Sequence, residues 1–235
     1  MKLMFYLQNY LLKFMKFLFS FFLIYTIFLS FAGASKTFES NYLVKTKGIT
    51  IGTFFWNLNL EKQSYKTTID LKKKGFFSKL FVFEGYYQTS GTIKNKIFSP
   101  EKYSQFWKTN KKERGVEIDF YNSKISKILI NPKEKELPRL DYKDLYGYSD
   151  PITSFINILI NEKNSYTIDG RRLYLLVQKN EKDYKKITIK EYKNIWADHK
   201  RNDLEFIEIY QKDKGFFPEK INIRFDGSTF SLIKN

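Results

Sequence analysis

The stretch Ile221-Asn222-Ile223-Arg224-Phe225-Asp226-Gly227-Ser228 sets apolar residues at every second position and then breaks on Asp-Gly. Side chains of an extended strand alternate between its two faces, so a period of two is the mark of a half-buried strand. Asp-Gly between alternating runs is the strongest short hairpin signal, because a type I′ turn needs positive φ at both central residues. The same alternation recurs in Tyr65, Thr67, Ile69 and Leu71, in Val116-Glu117-Ile118-Asp119-Phe120, and in Ile187-Thr188-Ile189-Lys190. Leu80 to Tyr87 is a denser apolar run, read as a strand buried on both faces. Short polar breaks at Lys62-Gln63-Ser64, Asn122-Ser123 and 180–183 separate these runs like turns. Strands joined by turns rather than by helical crossovers pair antiparallel. The expectation is a mainly β fold of roughly ten to twelve strands, forming a large curved antiparallel sheet or open half-barrel.

One helix interrupts the pattern. Ser149-Asp150-Pro151 offers an N-cap followed by proline at the first helical position. Ile152, Phe155, Ile156, Leu159 and Ile160 then form an apolar stripe, with Asn157, Asn161 and Glu162 off it. The expectation is an amphipathic helix over about 150–163, packed on the concave side of the sheet. A second short turn is expected at Ser99-Pro100-Glu101, presenting Tyr103 and Phe106-Trp107.

The chain front is of a different kind. Residues 1–34 carry Lys2, Lys13 and Lys16, no acid, and an uncharged run from Phe17 to Ala34. A basic start, an apolar core and Ala32-Gly33-Ala34 match a secretory signal peptide cleaved after Ala34. An uncleaved anchor is the rival, since eighteen apolar residues just reach across a bilayer core; it would be the chain's one membrane attachment. With no cysteine there is no lipidated N-terminus, no disulfide framework and no thiolate metal site. The expected organisation is a signal peptide, 1–34, and one exported β-rich domain, 35–235, in the periplasm as a monomer.

The whole chain has 41 Lys+Arg against 25 Asp+Glu, a net charge of +16; without residues 1–34 the sum is 38 − 25 = +13. The lysines, phenylalanines and tyrosines share A/T-rich codons, so coding bias contributes to both charge and aromaticity. Outside the inner membrane the anions within reach are lipid headgroups and envelope polymers rather than nucleic acid. Lys72, Lys73 and Lys74, with Arg171 and Arg172, are the candidate anion contacts. His199 is the single histidine, flanked by Asp198 and Asp203 in a charged stretch read as a hairpin tip. Asp141, Asp144 and Asp150 lack the spacing of a calcium loop. Neither a phosphate-binding loop nor a dinucleotide fingerprint occurs, so no catalytic residue, metal site or cofactor is expected.

Several positions in order resemble the bacterial envelope family known as domain of unknown function 3108. They are Gly48-Ile49-Thr50-Ile51-Gly52, Gly75, Gly91, Pro100 with Tyr103, and Asp150-Pro151-Ile152-Thr153-Ser154-Phe155, followed by Asp169-Gly170-Arg171-Arg172-Leu173-Tyr174 and Pro218-Glu219-Lys220-Ile221. The resemblance implies an exported antiparallel β domain and brings no catalytic residue with it. More distantly, the pattern is similar to the half-barrel of periplasmic lipoprotein carriers, which implies an apolar cavity. Phe54, Trp56, Phe81, Phe83, Tyr103, Ile152, Phe155, Ile156 and Leu159 are the candidates to line it, for a lipid or an acylated protein. A dry, closed core made of the same residues is the competing expectation. The expected function is therefore non-catalytic binding or assembly in the envelope. The alternative is a carboxylate-dependent hydrolase of cell wall or polysaccharide.

Overall fold

A computed structural model describes residues 35–75, 83–161, 163–196, 203–211 and 216–235. The expected signal peptide, Phe81 and His199 lie outside the described residues. The strands in chain order are β1 (Lys36–Thr46), β2 (Ile49–Leu60), β3 (Ser64–Lys73), β4 (Phe83–Lys94), β5 (Ile97–Thr109), β6 (Glu113–Tyr121) and β7 (Lys124–Asn131). After the helix α1 (Pro151–Asn161) come β8 (Ser165–Ile168), β9 (Arg172–Asn180), β10 (Lys185–Asn194), β11 (Leu204–Tyr210), β12 (Lys220–Phe225) and β13 (Ser228–Lys234).

All thirteen belong to one antiparallel sheet in the order β7-β6-β5-β4-β3-β2-β1-β13-β12-β11-β10-β9-β8. Two meanders thus run outward from a centre where the two ends of the sheet-forming chain meet. Tyr42 pairs with Lys234 and Val44 with Leu232. The mainly β expectation holds, with thirteen strands where the alternation indicated ten to twelve. Four two-residue turns, Lys47-Gly48, Asn95-Lys96, Asn122-Ser123 and Asp226-Gly227, have positive φ at both residues. That is the type I′ geometry whose twist matches the flanking strands.

The outer strands β7 and β8 are not hydrogen-bonded to one another; the sheet stays open. The chain between them crosses the gap instead. Gly147 N–H donates to Ser123 O at 2.9 Å near β7, while Ser149 N–H donates to Tyr166 O and Ser149 O accepts from Ile168 N–H, both at 2.9 Å, on β8. Backbone groups at a sheet edge need such partners, and this segment supplies them at both edges.

Helix α1 lies against the concave side, as expected, but is buried on more than its apolar stripe. Ile152, Thr153, Ser154, Ile156, Ile158 and Leu159 are all buried. Ile158 and the two hydroxyl residues fall off the stripe; they are enclosed because a curled sheet surrounds the helix where a flat one would cover one side. Asn157 carries its amide to the uncovered end of β5, accepting from Phe98 N–H at 2.9 Å and donating to Phe98 O at 2.8 Å.

Two local expectations are corrected. Ser99-Pro100-Glu101 is no turn: it lies inside β5, which bulges there, since Ser90 faces Lys102 and Gly91 faces Pro100, with Glu101 as the extra residue. Proline has no N–H to give a ladder and is accommodated at such irregularities. The run from Leu80 to Tyr87 is not a strand buried on both faces where it is described, because Phe83 and Tyr86 are exposed. Among the described residues no second layer covers the outer face of β4 at Tyr86.

Gly91 makes that bulge possible. A Cβ there would sit 2.0 Å from Ser99 O, a backbone atom that cannot turn aside. Gly91→Ala is expected to destabilise the protein by about 2–3 kcal/mol in urea unfolding. Gly227→Ala, where a Cβ meets nothing within 4 Å, should cost only about 1 kcal/mol for its positive φ.

Candidate functional site

The interior has two halves, and the helix start divides them. Asp150 is fully buried at 0% exposure. Its Oδ1 accepts the N–H groups of Ile152 at 2.9 Å and Thr153 at 3.1 Å, which makes it the helix N-cap the sequence indicates. Its Oδ2 accepts from the Thr153 hydroxyl and from Thr89 Oγ1 on β4, the latter at 3.0 Å. Since the Thr153 proton goes to Asp150, Tyr65 on β3 donates in turn to Thr153 Oγ1 at 2.6 Å. On the other side Ser154 Oγ accepts from Thr167 at 2.8 Å and Ser165 at 3.0 Å, both on β8. A ring of hydroxyls therefore ties the first turn of α1 to both wings of the sheet. Burial raises the Asp150 carboxyl above its ordinary range, and these hydrogen bonds oppose the rise without cancelling it.

From this point α1 runs toward the β4–β5 turn, where Asn161 Nδ2 donates to Lys96 O at 2.9 Å. Eleven residues of helix extend ~16 Å, whereas the twelve-residue β2 extends ~40 Å. The helix fills only its own half of the interior. There Trp56, Tyr103, Ile152, Ile156 and Leu159, five of the nine expected cavity residues, form a closed core with β-strand partners. The Trp56 ring stands 4.7 Å from Phe217 and 5.8 Å from Phe155, and its Nε1–H donates to Thr67 Oγ1 at 2.8 Å.

Beyond Asp150 a second apolar cluster covers the concave face around the β1–β13 seam. Tyr42, Val44, Ile221 and Leu232 are its buried base. Ile51, Phe54, Leu71, Phe155, Ile207 and Ile223 pack on that base yet are only half-buried. The register puts Phe54 opposite Leu71, and Ile207 opposite Ile223, on the inward face. Phe83 continues this inward phase at the rim, 37% exposed. Of the expected cavity residues, then, Phe54 and Phe155 belong to the open wall and Phe83 to its margin. The alternation had placed Leu71, Ile221 and Ile223 in strands; that their strands meet through the pairing of β1 with β13 is a long-range fact that periodicity does not carry.

The expected anion contacts divide as well. Arg171 Nε meets Glu134 Oε1 at 2.5 Å. Arg172 lies between Asp169 at 3.8 Å and Asp203 at 3.9 Å, with its guanidinium over the Tyr192 ring. Their charge is answered within the protein. Lys72 is on the outer face, 69% exposed, 3.6 Å from Asp70. Lys73 and Lys74 are exposed at the end of β3. Among the described residues no group of three or more acids or histidines could hold a metal ion. Asp141 caps the short turn Tyr142–Asp144, accepting from Lys143 N–H at 3.0 Å. A polar hollow of about 240 Å³, with Glu61, Lys66 and Glu101 on its walls, opens beside Tyr65.

An open antiparallel sheet curled about a single helix, with no assembled catalytic group among the described residues, defines the class of this protein by architecture. The chain belongs to the family described as protein of unknown function DUF3108, whose model matches residues 41–170. That match reaches from β1 through the Asp150 cap to the β8–β9 turn. No curated protein matches. Among solved structures, a β-barrel-like protein of domain of unknown function DUF1849 from Brucella abortus is similar over 84% of this chain and 94% of its own, at 10% identity and a TM-score of 0.48.

The buried carboxyl has a signed consequence. Its folded-state pKa is raised, so the folded form holds the proton more tightly than the unfolded form. The stability from this site is complete below the unfolded pKa of 3.8 and is lost as pH rises through the folded value. Asp150→Asn keeps the cap but removes the titration. The stability difference between wild type and Asp150→Asn should therefore shift toward the wild type as pH falls from 7 to 4, read from urea midpoints. Asp150→Ala, which removes the helix cap and the acceptor of the Thr153 hydroxyl, should cost about 2–4 kcal/mol.

Proposed function

We propose that this protein is a non-catalytic binding protein of the bacterial envelope, exported behind residues 1–34, whose concave wall holds the acyl chain of a lipid or acylated protein. The observation that carries this reading is the half-exposure of inward-facing Ile51, Phe54, Leu71, Phe155, Ile207 and Ile223. A sheet interior normally closes on itself, since every buried apolar Å² contributes about 25 cal/mol. An apolar surface left facing inward on a rigid frame is the form that small-molecule sites take. An acyl chain contributes about 0.8 kcal/mol for each CH₂ buried there.

The net charge of +13 after residue 34 suits an anionic envelope partner. The carboxylate hydrolase reading fits less well. It needs two acids facing one cleft, and the most deeply buried acid, Asp150, spends both oxygens on the helix and its hydroxyls.

The test is to express the full chain, recover it from the envelope fraction, and extract it for mass spectrometry. An acyl lipid at near-stoichiometric amount is expected. Ile223→Glu, on the open wall, should keep the wild-type circular dichroism spectrum and lower the recovered lipid at least about ten-fold, the equivalent of roughly 1.4 kcal/mol. Wild-type protein free of lipid that also takes up none when offered it would overturn the proposal.

A further inference from the structure

Two lysines share the inward phase of the open wall: Lys234, opposite Tyr42, is answered by Glu219 at 3.5 Å, and the other is on β3. Along β3 the inward side chains are Tyr65, Thr67, Ile69 and Leu71, and the next in phase is Lys73. Lys73 is exposed, and among the described residues its side chain makes no ion pair or hydrogen bond. Opposite it on β2 stands Gly52, where the two strands approach so closely that a Cβ would lie 2.7 Å from Lys72 O. Opposite Gly52 on β1 is Val44, and opposite Val44 on β13 is Leu232, both buried members of the apolar base. A single row across four strands thus passes from the apolar floor through a buried glycine to an exposed cation.

The strand ends around this row have the same sign. Residues 45–53 and 70–75 contain Lys45, Lys47, Lys72, Lys73 and Lys74 against one acid, Asp70. Asp70 is on the outer face, beside Lys72. Nothing on these segments competes with a ligand for Lys73. Arg171 and Arg172, in contrast, are held by Glu134, Asp169 and Asp203.

Building on the proposed acyl-binding wall, we infer that its ligand is an anionic phospholipid, with one acyl chain along Leu71, Phe54, Ile207 and Ile223 and the phosphate at Lys73. An ammonium bonded to a phosphate oxygen at the margin of an apolar surface is a charge-assisted contact in a partly desolvated place. Lysine there acts as a point charge, which suits a phosphodiester approached from one side. The inward phase of Lys73 makes it a contact for a lipid inside the curl. The outward phase of Lys72 makes that neighbour a contribution to the general field only.

The purified protein, stripped of lipid, is incubated separately with vesicles of phosphatidylglycerol and of phosphatidylcholine, and bound lipid is quantified after separation. Phosphatidylglycerol is expected at about ten-fold or more over phosphatidylcholine. Lys73→Glu should abolish that preference, lowering phosphatidylglycerol uptake by more than phosphatidylcholine uptake. Lys72→Glu, the same charge change on the opposite face, should reduce the preference by no more than about five-fold, the effect of one lysine in the surface field. Equal uptake of the two lipids by wild type, or equal effects of the two substitutions, would overturn the phosphate site while leaving the apolar wall intact. Uptake of neither lipid would overturn the wall and the site together. Circular dichroism of each variant separates loss of binding from loss of fold.

Discussion

Asp150 fixes where the helix begins, and the division of the interior follows from that point. A carboxylate taken out of water is expensive unless its oxygens are satisfied. Here two backbone N–H groups and two threonine hydroxyls satisfy them. Thr89 belongs to β4, and the second partner of the cap region, Tyr65, to β3. The first turn of α1 is therefore bound to the middle of the sheet rather than to its end. From there a helix of ~16 Å fills one half of strands more than twice as long. The other half keeps an apolar wall that the helix reaches through Phe155.

The frame that presents this wall depends on the pairing of the first and last strands. Each meander by itself is a run of hairpins, local in sequence. Joining β1 to β13 places Val44 beside Leu232 and brings Leu71, on one meander, and Ile223, on the other, into a single cluster. At the far edges the segment from Gly147 to Ser149 holds β7 and β8 without closing the ladder. The curl is thus held at its centre by a full strand pair and across its opening by single hydrogen bonds. That difference leaves the opening as the weaker side.

Much of this was legible in the sequence, for physical reasons that differ by element. Asp226-Gly227 announced its turn because only a few residues accept paired positive φ, and the turn is of that type. Asp150-Pro151 announced the helix start through capping chemistry, a local effect. Pro100 misled because a proline read alone suggests a turn, whereas the glycine that accommodates it, Gly91, is on another strand. The candidate site was half legible. Trp56, Ile156 and Phe54 all read as inward apolar residues, but which of them a helix covers depends on its length and anchoring. Ile207 and Ile223 could not be joined to Phe54 without the strand order. Arg171 read as a free cation because Glu134, which answers it, is 37 residues away; Arg172 is met by Asp203, also distant, and by Asp169, whose approach depends on the turn between them.

The central claim is that the apolar interior is divided into a closed half and an open one. Methyl spectra of the isoleucine- and leucine-labelled protein, recorded with a fatty acid carrying a nitroxide on its acyl chain, test it most directly. The account predicts strong paramagnetic broadening of Ile51, Leu71, Ile207 and Ile223, with Ile152, Ile156 and Leu159 left sharp. Equal broadening of both sets, or broadening confined to exposed methyls such as Ile97 and Leu137, would contradict it.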